Sequence, residues 1–520
     1  MTREIIIGLD AGTSVIKAVA FGCDGRQLGA AAAPNSIIRG PDGAAEQDMG
    51  RTWKDVCHVL RELVGAVPDL PARTAAIAVT GQGDGTWLVD GGGEPVAPAW
   101  VWLDSRAAAL VEEFVRSGVA ARTHAITGCG LNACQQGAQL AWLHRNRPEV
   151  LERAATAFHC KDWIYFRMTG RRATDVSEGI FTFGDFRTRA YAPEILDALG
   201  IAALARLLPE PVDGTAETDA LTAEAAEATG LRAGTPVSLG FLDVLCTGLG
   251  GGLFEPGRNV GCSIIGSTGM HMRLFPRPEA VTLGEEPIGY TVPFPMPGHV
   301  VQMQSNMAAT LNIDWIVRMG IEAAGMLGVE VSRHQALKTI DRQVLEARPG
   351  AVLYHPYIDE AGERGPFCDV HARAQLFGLC LGTGYLDLVR GVYEGLGFAA
   401  RDCYAAMGHR PEEIRIAGGA ARSRSLKTIL ASVLGIPIRE SSQEEAGAAG
   451  AAMMAAVATG FYPDLAAACR TWVDPTLGAT IDPDPPLVRL YDELFGLYRD
   501  LRTADRPHWR RLAAIRREFR

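Results

Sequence analysis

Asp10, Gly12, Thr13, Ser14 and Lys17 bring a carboxylate, a glycine, two hydroxyls and an ammonium together within one short stretch. Apolar, β-branched runs flank them, Ile5 to Leu9 before and Val15 to Phe21 after. The segment is therefore expected to be two strands joined by a tight polar turn. Such a turn aims backbone N–H groups, the Thr13 and Ser14 hydroxyls and the Lys17 ammonium at an anion. A bare phosphate would repel Asp10, so the carboxylate implies a bridging cation such as Mg²⁺. The expected chemistry is the binding of metal-bound nucleotide phosphates. The structural alternative is an ordinary β-hairpin with a capped turn.

Further constellations follow along the chain. Ala75 to Val79 reads as a buried strand and runs into Thr80-Gly81-Gln82-Gly83-Asp84-Gly85-Thr86, a glycine-rich loop at a strand end, where open sheets bind ligands. Trp102, Asp104 and Arg106 could give a polyhydroxylated substrate an apolar wall and directional hydrogen bonds. A half-buried Trp102 with a structural Asp104–Arg106 pair is the alternative. A strand from Val237 meets Gly240 and then a lone aspartate, Asp243, at the start of a small-residue helix. The helix dipole would help keep that carboxylate ionised, and a simple helix cap is the competing role. Gly266-Ser267-Thr268-Gly269 repeats the strand, turn, strand theme of the opening hairpin, which suggests two related lobes with a switch near Gly248 to Gly257. Gly418 and Gly419 form a third turn, open to a flat ring or ribose, with Ser423 as the cap of the next helix.

Elements must hold these groups in place. Helices are expected from Trp53 to Val64, Ala107 to Arg116, Ala138 to Asn146, Phe158 to Arg167 and Ala220 to Thr229. Thr174 to Phe186 is expected to be a surface loop, with approach to the substrate as the alternative. The alanine-rich Gln443 to Ala458 reads as a packed helix rather than a membrane span. Leu490, Leu494 and Leu497 mark the inner face of a charged C-terminal helix. A chain of 520 residues exceeds one core. With 48% hydrophobic and 21% charged residues it has the balance of a globular protein. A net charge of -10 argues against a nucleic-acid binder. The 11 cysteines include no Cys-x-x-Cys and no zinc spacing, and with no basic leader they read as reduced cytoplasmic thiols.

Taken in order, Asp10 to Lys17, Gln82 in its loop, Trp102 with Asp104 and Arg106, Asp243 in Gly-Phe-Leu-Asp, Gly266 to Gly269, Gly418 to Ser423 and Glu445 to Ala449 resemble the FGGY carbohydrate kinases. Gly378 to Glu394, with Asp387, Leu388, Arg390 and Glu394, is similar to that family's second signature. Within the family, the likeness is to members acting on erythritol. It is carried by the opening turn, Val79 to Leu88, Ala133 to Gly137 and Phe158 to Trp163. The chain departs from glycerol and xylulose kinases at Gly83-Asp84, and from the usual signature lysine at Gln139.

The resemblance implies an α/β fold of two ribonuclease H-like lobes, of the actin and hexokinase type, with a cleft between them. The lobes would be residues 1–250 and 251–480, followed by a helical tail at 481–520. It implies ATP and Mg²⁺, and transfer of a phosphoryl group to a terminal hydroxyl of a small polyol. Asp243 is the implied general base, with Asp10 and Asp243 on the metal side. Gly12, Thr13, Ser14 and Lys17, Gly266, Ser267 and Thr268, and Gly418, Gly419 and Ser423 are the implied nucleotide groups. Gln82, Asp84, Trp102, Asp104, Arg106 and Asp243 are the implied substrate groups. No nucleic acid or membrane partner is expected, and a homodimer is left open. Xylitol, glycerol or xylulose are alternative acceptors. A non-kinase ATPase of the actin or heat-shock type is the alternative of another class.

Overall fold

A computed structural model describes residues 3–284, 286–408 and 410–519. The chain divides into two compact units. The first holds Met1–Pro256, Phe275–Val301 and Gln443–Thr476; the second holds Gly257–Leu274, Gln302–Ser442 and Leu477–Arg520. The first crossing, after Pro256, falls at the expected glycine-rich switch. The lobe expected at 251–480 and the second unit differ at Gln443–Thr476, which packs into the first unit.

The first unit is built on a six-stranded sheet. Its strands are β1 (Ile5–Ala11), β2 (Val15–Gly22), β3 (Gln27–Pro34), β4 (Thr74–Gly81), β5 (Asp219–Ala220) and β6 (Pro236–Leu239), in the order β5-β6-β4-β1-β2-β3. β1 and β2 form the expected antiparallel hairpin, with Asp10 opposite Lys17. β1, β4 and β6 run parallel, with Ala11 beside Gly81 and Leu239 beside Val79. The ends of these three strands therefore lie along one sheet edge, which delivers Asp10, Gln82 and Asp243 to the same side. β1 and β4 read as nearly continuous apolar runs because both of their faces are covered. One cover is the helix Met49–Ala66, capped by Asp48, which places Val56, Val59, Leu60 and Leu63 in the core.

The other cover is the helix Ala446–Ala458, buried from Ala446 through Ala456. Its small residues bring backbone against backbone. A methyl added to Gly8 of β1 would lie 2.2 Å from the Ala448 carbonyl oxygen. This close seating is why the segment returns to the first unit. Among the described residues no helix is long and apolar enough to cross a membrane.

The second unit repeats the plan. β7 (Val260–Ile265) and β8 (Gly269–Phe275) form an antiparallel hairpin. With β9 (Val300–Asn306), β10 (Glu413–Ala417), β11 (Ile438–Ser441) and β12 (Leu477–Ile481) the hairpin belongs to a seven-stranded sheet that contains the run β9-β8-β7-β10-β11-β12. Here β7, β10 and β11 are parallel. The C-terminal helix Pro485–Glu518 packs on this unit through Tyr491, Tyr498 and Trp509. The inner face expected at Leu490, Leu494 and Leu497 is corrected, since Leu490 and Leu497 are exposed. These aromatic rings bury more apolar area per residue, and the tyrosines keep their polar tips satisfied, as in the Tyr498–Tyr357 hydroxyl pair at 2.9 Å and Tyr491 on Glu394 at 2.6 Å.

Candidate active site

Asp10 lies at the end of β1, and Asp243 opens the helix Asp243–Gly250. Leu242 holds the cap position of that helix without a side-chain bond, so the capping role is not the one Asp243 plays. Its carboxylate instead accepts the neighbouring Val244 N–H at 2.6 Å. Burial, and then the Asp10 carboxylate, push the Asp243 carboxyl well above the usual carboxylate range. Burial pushes Asp10 up to about 6, with Lys17 opposing the rise and Glu445 adding to it. Two carboxylates that share one desolvated region are thus raised together. Lys17 donates to Glu445 at 2.9 and 3.2 Å. This pairing joins the first hairpin to the start of the helix Ala446–Ala458, a role for Glu445 that its motif alone does not signal.

The turn between β1 and β2 is the solvent-facing part of a buried hairpin, and Ser14 is exposed. Neighbours hold the turn in place. Gly12 O accepts from Asn35 Nδ2 at 2.9 Å, Thr13 O accepts from Gln47 Nε2 at 3.1 Å, and Thr13 Oγ1 accepts from Trp102 Nε1 at 2.7 Å. The Trp102 indole therefore braces the turn, and its ring is half-buried. Asp104 and Arg106 take the structural alternative. The Asp104 side chain is fully buried, accepts the Ala45 N–H at 2.9 Å and grips Arg106 through both oxygens. Arg106 also reaches Glu46 at 2.7 Å and lies 3.5 Å over the Trp100 ring. With every carboxylate lone pair engaged inside the protein, Asp104 positions its loop rather than facing a ligand.

Gln82 is buried and donates to Gln47 Oε1 at 2.7 Å. Because Gln47 donates to the Thr13 carbonyl, its own oxygen must receive the Gln82 amide. That fixes the Gln82 orientation and leaves Gln82 Oε1 buried with no hydrogen-bond partner. Asp84 sits in the left-handed region at φ 57°, a strained conformation for a non-glycine residue. What holds it there is Glu178, whose Oε1 accepts the Asp84 N–H at 2.7 Å. Next to it, a methyl on Gly83 would stand 2.0 Å from Leu242 Cδ1 and 3.3 Å from both Glu178 oxygens, so Gly83 leaves the room these groups occupy.

Glu178 belongs to a buried charge network that reading the sequence missed. Thr174 to Phe186, expected as a surface loop, is a buried strand (Ala173–Asp175), a short buried helix (Glu178–Phe183) and the strand Gly184–Asp185. Lys161, fully buried in the helix Cys160–Thr169, is held by Asp162 at 2.8 Å and Asp175 at 2.5 Å. Burial disfavours its charge, but Asp162, Asp175 and Glu178 outweigh that and keep it a cation. Asp175 fixes Ser177, whose Oγ accepts the Leu242 N–H at 3.0 Å and so anchors the residue before Asp243. Burial pushes Glu178 up to about 7 against the pull of His159 and Lys161. The available signal was Lys161-Asp162 inside an otherwise apolar helix, since buried charges come in pairs.

In the second unit the turn Gly266–Thr268 is stitched to a helix start. Gly266 O accepts the Thr310 hydroxyl at 2.8 Å, and Ser267 O accepts the Ala309 N–H at 2.7 Å. Ser267 and Thr268 are exposed. Along the helix Thr310–Met326 lies a pocket of about 370 Å³, lined by Leu311, Asp314, Trp315, Arg318 and Arg333 among others. At Gly418, φ is 89° and a methyl would lie 2.7 Å from Ile265 O, so backbone packing requires glycine there. Gly419 faces open space. Ser423 caps the helix Arg424–Leu434 as expected, and its hydroxyl also bonds Asp341.

The residues present fit a divalent cation. Asp10 Oδ1 is buried with no hydrogen-bond partner, and a methyl on Gly447 would lie 2.8 Å from Asp10 Oδ2, so the carboxylate has small neighbours on one side. Among the described residues no cluster of three or more metal-binding side chains forms a self-sufficient cage.

Comparison with known proteins shows the family. Residues 5–250 match the N-terminal domain, and residues 261–459 the C-terminal domain, of the FGGY family of carbohydrate kinases. The chain is 51% identical over 511 residues to an erythritol kinase of Brucella abortus (strain 2308), covering 98% of both chains. It is 26% identical to an L-xylulose/3-keto-L-gulonate kinase of Escherichia coli (strain K12), covering 95% of this chain and 96% of that one. Its fold matches a xylulose kinase from Rhodospirillum rubrum with a TM-score of 0.86 at 26% identity, over 97% of this chain and 100% of that one. It also matches a gluconate kinase from Lactobacillus acidophilus with a TM-score of 0.87 at 21% identity, over 98% and 99%. The two-lobed α/β architecture expected from the sequence is the one that these structures share. The chain belongs to the FGGY family of carbohydrate kinases.

Proposed function

We propose that this kinase transfers the ATP γ-phosphoryl group to a terminal hydroxyl of erythritol, giving erythritol phosphate. The substrate class rests on the full-length 51% identity to an erythritol kinase. The chemistry rests on one observation: Asp243 and Asp10 are half-buried carboxylates at the ends of parallel strands, coupled so that Asp10 raises the proton affinity of Asp243. A terminal alcohol must lose its proton as the new P–O bond forms. A carboxylate with raised proton affinity is the better acceptor for it. Asp243 is the proposed base, and Ser177 keeps its segment in place through the Leu242 N–H.

Asp10, with Asp243 beside it, would hold Mg²⁺. When bound, the ion neutralises charge on the β- and γ-phosphate oxygens. Gly12, Thr13, Ser14 and Lys17 are the proposed phosphate groups of the first unit. Gly266, Ser267, Thr268 and Gly419 are those of the second, with the pocket beside Trp315 as the candidate nucleoside site. Gln82 and Asp84 would accept substrate hydroxyls, and the Trp102 ring would wall them. A coupled assay of ADP release over four- and five-carbon polyols, glycerol and xylulose tests this reading. Erythritol should give the highest kcat/KM, and a higher value for another acceptor would replace it.

A further inference from the structure

We infer that Glu178 sets the acceptor specificity of this enzyme, making the pocket one that receives hydroxyl hydrogens and rejects a carbonyl. The inference rests on the polyol reading above and deepens it.

Glu178 is fully buried and faces the loop that carries Gly83 and Asp84. One of its oxygens is committed to the Asp84 N–H at 2.7 Å. The other, Oε2, has no hydrogen-bond partner. A buried carboxylate oxygen left bare costs free energy unless a donor arrives. Beside the loop of Gln82 to Asp84 and at the end of β1, three acceptors are open to a donor. Glu178 Oε2, Gln82 Oε1 and Asp10 Oδ1 are all buried acceptors without a partner. His159 turns Nδ1 to Asp162 at 3.1 Å, and its Nε2 lies 3.8 Å from Glu178 Oε1, too far for a hydrogen bond.

An alditol brings a donating O–H at every carbon. A ketose replaces one of them with an oxygen that only accepts, and against a carboxylate that oxygen is repelled. A site built to bond a hydroxyl discriminates strongly against an analogue that lacks it. Glu178 is a specificity residue and not the base, since Asp243 keeps that role.

The test compares erythritol with erythrulose, which differs only in one carbonyl, at pH 8.5. The full-length wild type and the variants Glu178→Gln and Glu178→Asp are assayed for kcat/KM, together with the KM for ATP. Glu178→Gln keeps an oxygen for the Asp84 N–H but presents a donor in place of Oε2. It should lower the erythritol-to-erythrulose ratio at least about tenfold while the KM for ATP stays unchanged. A smaller change in that ratio, or equal losses on both acceptors, would overturn the inference. Glu178→Asp keeps the charge but withdraws it by one methylene. Its erythritol KM should rise about tenfold with the preference for the alditol kept, so the question stays answerable if the glutamine variant does not fold. An unchanged KM in the aspartate variant would also overturn it. A wild type inactive on every alditol would instead defeat the polyol reading, independently of Glu178.

Discussion

Proton affinities set by burial are the main result at the scale of single residues. Asp10, raised to about 6, binds a proton more tightly in the folded chain than in the unfolded one. Its contribution to stability is therefore fully present below the ordinary carboxylate value and is lost as pH rises through about 6. The shift amounts to roughly 3 kcal/mol at most. In metal-free protein, Asp10→Asn should gain thermal stability relative to wild type as pH is raised from 4 to 7. Parallel melting curves would contradict this. The same orphaned carboxylate predicts that Mg²⁺ raises the melting temperature of wild type at pH 7.5 and not that of Asp10→Asn. Removing the cation from the buried network has the opposite character. Lys161→Met leaves the buried Asp162 and Asp175 without their shared cation and should cost roughly 3–5 kcal/mol. Urea or thermal unfolding of the first unit measures it, and a loss below 1 kcal/mol would contradict the pairing.

Packing between elements decides how the site residues are delivered. Three parallel strands end together, and the helix Ala446–Ala458 clamps them because both partners lack side-chain bulk. Gly8→Val forces a side chain into the Ala448 carbonyl and should destabilise the first unit by roughly 3 kcal/mol, read as a lower denaturant midpoint. At this scale the sequence was informative where periodicity is local. Both hairpins, the strand into Gln82, the helix from Asp243 and the cap at Ser423 are each signalled by residues within one turn or strand. It was uninformative where meaning depends on a distant partner. The stretch Thr174 to Phe186 is polar enough to look exposed, and only the Lys161 ammonium makes Asp175 and Glu178 stable inside. Gly418 looks like a ligand turn until Ile265 O is seen against it. The long C-terminal helix showed its length, but Tyr491, Tyr498 and Trp509 rather than the leucines choose its buried face.

For the whole molecule, a hairpin-plus-parallel-sheet plan occurs twice, and the family match spans both copies. The order of motifs made the kinase family legible, whereas the discontinuous first unit was not, because no local signal marks Gln443–Thr476 as returning to it. The account as a whole stands on Asp243 taking the alcohol proton. The most direct measurement is single-turnover phosphorylation of erythritol by Asp243→Asn beside wild type, with ATP affinity determined on the same preparations. The account predicts ATP binding within a few-fold of wild type and a rate lowered by about 10²–10⁴. A near-normal rate in the asparagine variant would contradict it.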